Sequence, residues 1–546
     1  MVSQSPISTD ARRMTVVELL VGRLRDAGLR RIFGVPGGGS SMDLIDAARR
    51  ADIEFILSRR EDSGTVMAAI TALLSNAPGL ALGTKGPGVT SSANGVASAF
   101  LDRAPVIYVS DGFGADETNY VSHQYFDQAA VLGPITKSVS LLNGEDPAAE
   151  IDALIETMNS APKGPSYVEL TGGTAKREVD ASSAKPKLEV NGANSNADGF
   201  ERARSLLAAA KRPVVIAGLE AATPENSKAI RDMVAAFGAP ALVTYMAKGV
   251  IADSDDRYAG IFTGGQAEFA CVSSADLIIL AGLDPVELIR KPWAYDTPVL
   301  DISEVRHEKH YMEPACGVYG PIASNIARLS HGFSPSDWTS SEVASYRDGF
   351  YAAMAYKDRP GITPVDIVKM AATAFEGRPR LAVDAGAHMF SAIAFWPARD
   401  PLDVLISNGL ATMAFALPAG LAAALHDPER GAVAMTGDGG LMMCMGELVT
   451  AAQQNANLTT IVFNDGALSL IDIKRQEMQM PDLGFTWKRP DFAAAARGFG
   501  CTAWRAETGE ELEAALAAAA ETMGPCLIDA VLDPDGYLEQ MRALRG

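Results

Sequence analysis

The chain has 546 residues, a formal net charge of −20, and a composition that is 48% hydrophobic and 21% charged, which gives it material for several ordinary globular domains. With no basic stripe to neutralise phosphates and no run of 18 apolar residues, it is expected to bind no nucleic acid and to span no membrane. The five cysteines are scattered, odd in number and free of any Cys-x-x-Cys pair, which argues against a disulfide framework or a zinc site and for a reducing, cytoplasmic compartment; the polar residues 1–13 suggest no signal peptide.

In chain order, residues 15–27 read as a helix stopped by Gly28. A strand at 31–34 runs into the turn Val35-Pro36-Gly37-Gly38-Gly39, and residues 41–50 are helical. A strand at 53–57, expected to be buried, ends at Ser58-Arg59-Arg60-Glu61-Asp62. A helix at 64–74, a strand at 80–82, the loop Thr84-Lys85-Gly86-Pro87-Gly88 and a strand at 106–109 continue the alternation. This rhythm predicts an α/β fold with a doubly wound parallel sheet. Residues 174–197, rich in Ala, Ser, Lys, Asn and Asp without periodicity, read as a linker. A second α/β run carries strands at 214–217, 241–244 and 277–280, and residues 333–341 mark the next boundary. His307 and His310 in that run, with no further His or Cys nearby, read as a solvated surface pair. The expected architecture is three doubly wound parallel-sheet domains, at 1–180, 195–335 and 345–546.

The third unit contains the most informative stretch. Residues 432–435 and 458–463 read as short buried strands, with a helix at 441–455 between them. The first strand ends in Thr436-Gly437-Asp438-Gly439-Gly440 and the second in Asn464-Asp465-Gly466, so each places an acidic residue at its carboxyl end, the edge of a parallel sheet where ligands bind. Asp438 and Asp465 can converge on one hard cation, while Gly439 and Gly440 offer N–H groups to a phosphate. Each string alone is only a turn signal. Together, with Asp465 27 positions after Asp438, they describe a Mg²⁺–diphosphate site.

That spacing resembles the thiamine diphosphate motif of the 2-oxo acid decarboxylases and acetolactate synthases, and the segment from Ala115 through Pro134-Ile135-Thr136-Lys137 is also similar to benzaldehyde lyase. The resemblance implies that Asp438, Asp465 and the Ala467 carbonyl hold Mg²⁺, with Leu468 next to them at the cofactor. Glu61, by itself a helix-starting carboxylate, falls where the family carries the glutamate that hydrogen-bonds the aminopyrimidine ring and favours its imino tautomer. Gly34-Val35-Pro36-Gly37-Gly38 and Gly86-Pro87-Gly88 match its glycine turns. The segment Ala115-Asp116-Glu117-Thr118-Asn119 through Phe126-Asp127-Gln128 puts Gln124 at an active-site position, with His123 beside it as a second catalytic candidate. Asp384-Ala385-Gly386-Ala387-His388 matches the strand end that contacts the diphosphate, through Gly386, Ala387 and His388. Met413, within Leu410-Ala411-Thr412-Met413-Ala414, matches the apolar wedge that bends the cofactor.

Gly37, Gly38, Lys85 and Gln124 are expected in the substrate pocket; Lys85 either pairs with a substrate carboxylate or lies outside the cavity. The middle run has no glycine fingerprint, so FAD is possible there but unsupported. The resemblance further implies a homodimer or homotetramer with active sites between subunits. The implied activity is decarboxylation of a 2-oxo acid and/or carboligation to a 2-hydroxy ketone or acid. The alternatives are a benzaldehyde-lyase-like or 2-hydroxyacyl-CoA lyase activity, and a non-catalytic cofactor-binding homologue.

Overall fold

The computed structural model describes residues 13–180, 197–288, 291–356 and 360–545. The opening stretch 1–12, where no signal peptide is expected, and most of the expected linker lie outside the described residues. Two compact units emerge, Met1–Val190 and Asn191–Gly546.

In the first unit, Thr15 caps the helix Val16–Asp26 through a reciprocal box with Glu18: its backbone N–H donates to the Glu18 carboxylate at 2.8 Å. The chain then alternates strand and helix. Strands β1 (Arg13–Thr15), β2 (Arg31–Val35), β3 (Glu54–Leu57), β4 (Gly79–Gly83), β5 (Val106–Asp111), β6 (Ser138–Ser140), β7 (Ser166–Leu170) and β8 (Glu178–Asp180) follow one another. Six of them form a parallel sheet in the order β3-β2-β4-β5-β7-β6, and β1 and β8 form a separate antiparallel ribbon. Two expectations are corrected here. β3 is not a buried strand: it lies at the sheet edge and leaves Leu57 41% exposed. Residues 174–180 of the expected linker belong to the folded unit. Thr171 caps the helix Gly172–Lys176 and β8 pairs with β1; a cap and a three-residue pairing are too short to leave a period in the sequence.

The second unit holds two parallel six-stranded sheets. One comprises β9 (Pro213–Ala217), β10 (Ala241–Val243), β11 (Tyr258–Ile261), β12 (Leu277–Ala281), β13 (Val299–Ser303) and β14 (Cys316–Tyr319), in the order β11-β10-β9-β12-β13-β14. The other comprises β15 (Arg380–Val383), β16 (Val404–Ile406), β17 (Ala432–Gly437), β18 (Leu458–Asn464), β19 (Thr502–Ala506) and β20 (Cys526–Val531), in the order β16-β15-β17-β18-β20-β19. Its central strands are buried on both faces, as helix-covered parallel strands must be. The expected helix 441–455 is two helices, Asp438–Cys444 and Glu447–Gln453, parted at Met445-Gly446. Glycine weakens the run there, and Glu447 begins the second helix buried, accepting a hydrogen bond from Thr450 Oγ1 at 2.8 Å. All five cysteines are buried free thiols. Among the described residues no helix is long and apolar enough to cross a membrane.

Glu287 is an unusual core residue of the sheet β9–β14. Its carboxyl accepts hydrogen bonds from Thr244 Oγ1 at 2.5 Å and from the Leu219 N–H at 2.8 Å, and burial pushes its pKa up to about 8. The folded chain thus keeps a proton that the unfolded chain releases near its ordinary value, so this stability is present at low pH and is lost as pH rises towards 8. Glu287→Gln mimics the protonated form, its amide donating to Thr244 and its oxygen accepting from Leu219. Chemical denaturation is expected to find the variant close to wild type at pH 5, and more stable by about 1–3 kcal/mol at pH 8.

Candidate active site

In an open parallel sheet the ligand crevice lies at the carboxyl edge, where strand order reverses. In the first unit this is between β2 and β4, and the expected residues gather there. Glu61 opens the helix Glu61–Ser75, and its carboxylate lies against the turn joining β4 to the helix Pro87–Leu101; a Cβ added at Gly88 would sit 3.4 Å from Glu61 Oε1. Gly86 has φ +70°, and its N–H donates to Gln128 Oε1 at 2.7 Å. Gln124 packs directly on it: a Cβ at Gly86 would meet the Gln124 Cβ at 2.8 Å. Gln124 and His123 are exposed on this unit. Lys85 sets its ammonium over the Phe113 ring, 4.4 Å from the centroid.

Asp111, at the end of β5, was not among the expected site residues. Its Oδ1 accepts from Ser40 Oγ (2.8 Å), Ser41 N (2.7 Å) and Ser41 Oγ (2.6 Å). A Cβ on Gly37 would meet Asp111 Oδ2 at 2.1 Å, so the turn lies directly on this carboxylate, while Gly38 faces open space. No local sequence pattern links a strand-end aspartate to a turn this far back in the chain.

In the second unit the reversal falls between β15 and β17, and a cavity of about 230 Å³ opens there. Gly386, Ala387, His388, Met413, Gly437, Asp438, Gly439, Gly440, Asp465, Ala467 and Leu468 all line it. Asp438 is 1% exposed; its Oδ1 accepts from Gly439 N at 2.8 Å and its Oδ2 from Gly466 N at 2.9 Å. The Gly439 N–H, expected to be open to a phosphate, is thus taken by Asp438. Asp465 accepts from Ala467 N at 3.1 Å and from Ser469 Oγ at 2.6 Å. Burial, and then the charge of Asp465, push Asp438 up to about 7, and burial pushes Asp465 up to about 6. Two carboxyls driven away from ionisation in one pocket fit a divalent cation, whose charge would favour their ionised forms.

Glycines, Met413, Leu468 and one imidazole form much of the cavity wall. A Cβ on Gly439 would meet Leu468 at 3.0 Å and Met413 at 3.4 Å; one on Gly440 would meet Asp384 Oδ2 at 2.2 Å. Buried His388 has an Nε2 without a hydrogen-bond partner, and burial holds its pKa down to about 4, leaving a neutral ring on the wall. Asp384, from the same expected motif, does something else. Its Oδ1 accepts from the Phe415 and Ala416 N–H groups, both at 2.6 Å, and its Oδ2 from Thr436 Oγ1 at 2.5 Å, which pins the segment bearing Met413 to the ends of β15 and β17.

Trp487 was also missed. Its backbone N–H donates to Gly466 O at 2.8 Å, and its indole reaches the Gly439 cradle, 3.5 Å from a Cβ placed there. It sits in an irregular stretch with no period to reveal it.

The sheet β9–β14 has the strand order of a dinucleotide-binding fold, but its reversal point, between β9 and β12, is occupied by acid. Glu220, Asp284 and buried Glu287 stand at those strand ends. His307 is not a solvated surface residue: its side chain is 7% exposed, with Nε2 3.4 Å from Glu220 and Nδ1 4.0 Å from Asp284, so the two carboxylates draw the ring inward. His310 Nε2 is likewise buried. Nothing at this point supports FAD.

Comparison with known proteins agrees with this geometry. The family described as thiamine pyrophosphate enzyme, N-terminal TPP binding domain, matches residues 14–131. The central domain of the same enzymes matches 200–329, and their C-terminal TPP binding domain matches 384–530. Among curated proteins, the chain is 26% identical to an acetolactate synthase of Bacillus subtilis, over 94% of this chain and 93% of that one. It is 28% identical to a catabolic acetolactate synthase of Raoultella terrigena, over 94% of each. An acetolactate synthase of Mycobacterium leprae is 26% identical, over 97% of this chain and 89% of its own length. With all three domains matched in order and full-length relatives of one kind, the chain belongs to the thiamine pyrophosphate enzymes, as a thiamine diphosphate-dependent enzyme of carbon–carbon bond chemistry.

Proposed function

We propose that this enzyme uses thiamine diphosphate and Mg²⁺ to decarboxylate a 2-oxo acid and/or to join the retained fragment to a second carbonyl, an acetolactate-synthase-like reaction giving a 2-hydroxy ketone or acid. The observation that carries this reading is the buried pair Asp438 and Asp465, both raised in pKa, at the mouth of a glycine-lined cavity. The likeness to acetolactate synthases along nearly the whole chain supports the reaction class.

In this proposal Asp438, Asp465 and the Ala467 carbonyl hold Mg²⁺, and Gly386, Ala387, His388, Gly437, Gly439, Gly440 and Leu468 surround the diphosphate. Met413, fixed through Asp384, is the apolar wedge beneath the rings. When bound, thiamine diphosphate supplies the nucleophilic carbon and the electron sink. Glu61 would hydrogen-bond the pyrimidine nitrogen and so favour the imino tautomer of the ring. Gln124 and His123, exposed above the Gly86 turn, face the substrate, with Gly37, Gly38 and Lys85 around it.

We assign the pyrimidine-binding role to residues 1–180, a middle role to 195–335 and the diphosphate-binding role to 345–546. Glu61 of one protomer and Asp438 of another would complete each site in a homodimer or homotetramer. Five buried free thiols fit a cytoplasmic compartment.

Three experiments test the reading. The protein supplied with thiamine diphosphate and Mg²⁺ is expected to release carbon dioxide from at least one 2-oxo acid in a panel of aliphatic and aromatic compounds. Cleavage of 2-hydroxy ketones or 2-hydroxyacyl-CoA, without any such release, would overturn it. Glu61→Gln is expected to lower kcat by about 10²–10⁴-fold while cofactor binding, followed by calorimetry, stays within a few fold. Finally, inactive Glu61→Gln and Asp438→Asn subunits, unfolded together and refolded, are expected to recover about a quarter of wild-type activity if each site draws on two chains. No recovery would place both residues in one chain.

A further inference from the structure

The helix Tyr537–Arg545 is fixed at several points before its last side chain reaches the cofactor cavity. Gln540 Oε1 accepts from Ser391 Oγ at 2.9 Å, and its Nε2 donates to Met354 O at 2.7 Å. The Ala543 carbonyl accepts from Ala267 N at 2.9 Å and the Leu544 carbonyl from Thr263 Oγ1 at 2.5 Å. The last turn is therefore pinned to the loop after β11, and the helix body to the helix His388–Phe395.

Arg545 extends from that turn into the wall of the 230 Å³ cavity that also exposes Asp438, Gly439 and His388. Its guanidinium lies 5.2 Å from the Phe390 ring centroid, two residues along the helix from His388. Its Nε is buried without a hydrogen-bond partner. Tyr245 is its polar neighbour: burial pushes that phenol up, and the charge of Arg545 acts against the shift. Among the described residues no carboxylate forms an ion pair with Arg545. A guanidinium at a cavity wall that pairs with no carboxylate among the described residues gains from an anion in the cavity. The planar fork of arginine matches phosphate oxygens.

We propose that Arg545 binds the diphosphate of the cofactor directly, adding a protein cation to a site whose other donors are a metal ion, backbone groups and a neutral imidazole. The proposal rests on the thiamine diphosphate reading above. The test uses full-length apo-protein in Mg²⁺ buffer, titrated by calorimetry with thiamine diphosphate and separately with inorganic pyrophosphate. Arg545→Gln is expected to raise both dissociation constants about 10–100-fold, and Arg545→Lys to recover part of the loss, with the apo unfolding midpoints of both variants at the wild-type value.

Unchanged constants in Arg545→Gln, with wild type binding normally, overturn this proposal and leave the cofactor reading intact. Weakening for thiamine diphosphate but not pyrophosphate also overturns it, because the guanidinium would then serve another part of the cofactor. A lowered apo midpoint in both variants, with binding lost alike, assigns Arg545 to folding and overturns it as well. Wild-type protein that binds neither ligand fails both readings.

Discussion

Two carboxylates held in one pocket, Asp438 and Asp465, are the constraint on which the proposed function depends. Asp438 and Asp465 end adjacent parallel strands, β17 and β18, so the sheet itself holds them together. Backbone N–H groups of Gly439, Gly466 and Ala467 and the Ser469 hydroxyl fix their orientation but leave both pKa values high. Such a pair is stable only with protons or with a multivalent cation. The adjoining glycines follow from close packing: a Cβ on Gly439 would press on Leu468 and Met413, and one on Gly440 would collide with Asp384.

The strand orders explain where the rest of the machinery lies. The sheets β3-β2-β4-β5-β7-β6 and β16-β15-β17-β18-β20-β19 share one permutation, and each gathers its functional loops where the winding reverses. At one reversal stands a glutamate against the turn from Gly83 to Gly88; at the other, glycines beside the paired aspartates. A strand-end aspartate steadies each crevice from within, Asp111 under the Gly37 turn and Asp384 under the segment bearing Met413. Both oxygens of Asp384 are taken by local N–H and hydroxyl donors, and Oδ1 of Asp111 accepts three such bonds.

The sheet β9–β14 winds differently and has a different interior. Its order suits a dinucleotide, yet Glu220, Asp284 and Glu287 occupy the reversal and draw His307 between two of them. Fold and ligand are decoupled here: topology offers a crevice, and the side chains decide what enters it.

The sequence by itself determined the alternation of strand and helix, the parallel-sheet class, and the carboxylates Glu61, Asp438 and Asp465. All of these are local properties, since hydrophobic period and turn residues mark where a strand ends and so which side chain stands at its carboxyl edge. Only the tertiary structure decided the strand orders, the edge position of β3, the break at Met445-Gly446 and the inward turn of His307. It alone brought Trp487 over the glycine cradle and Arg545 to the cavity wall. These depend on segments far apart in the chain meeting in space, and a contact set by where the chain returns leaves no periodic trace along it.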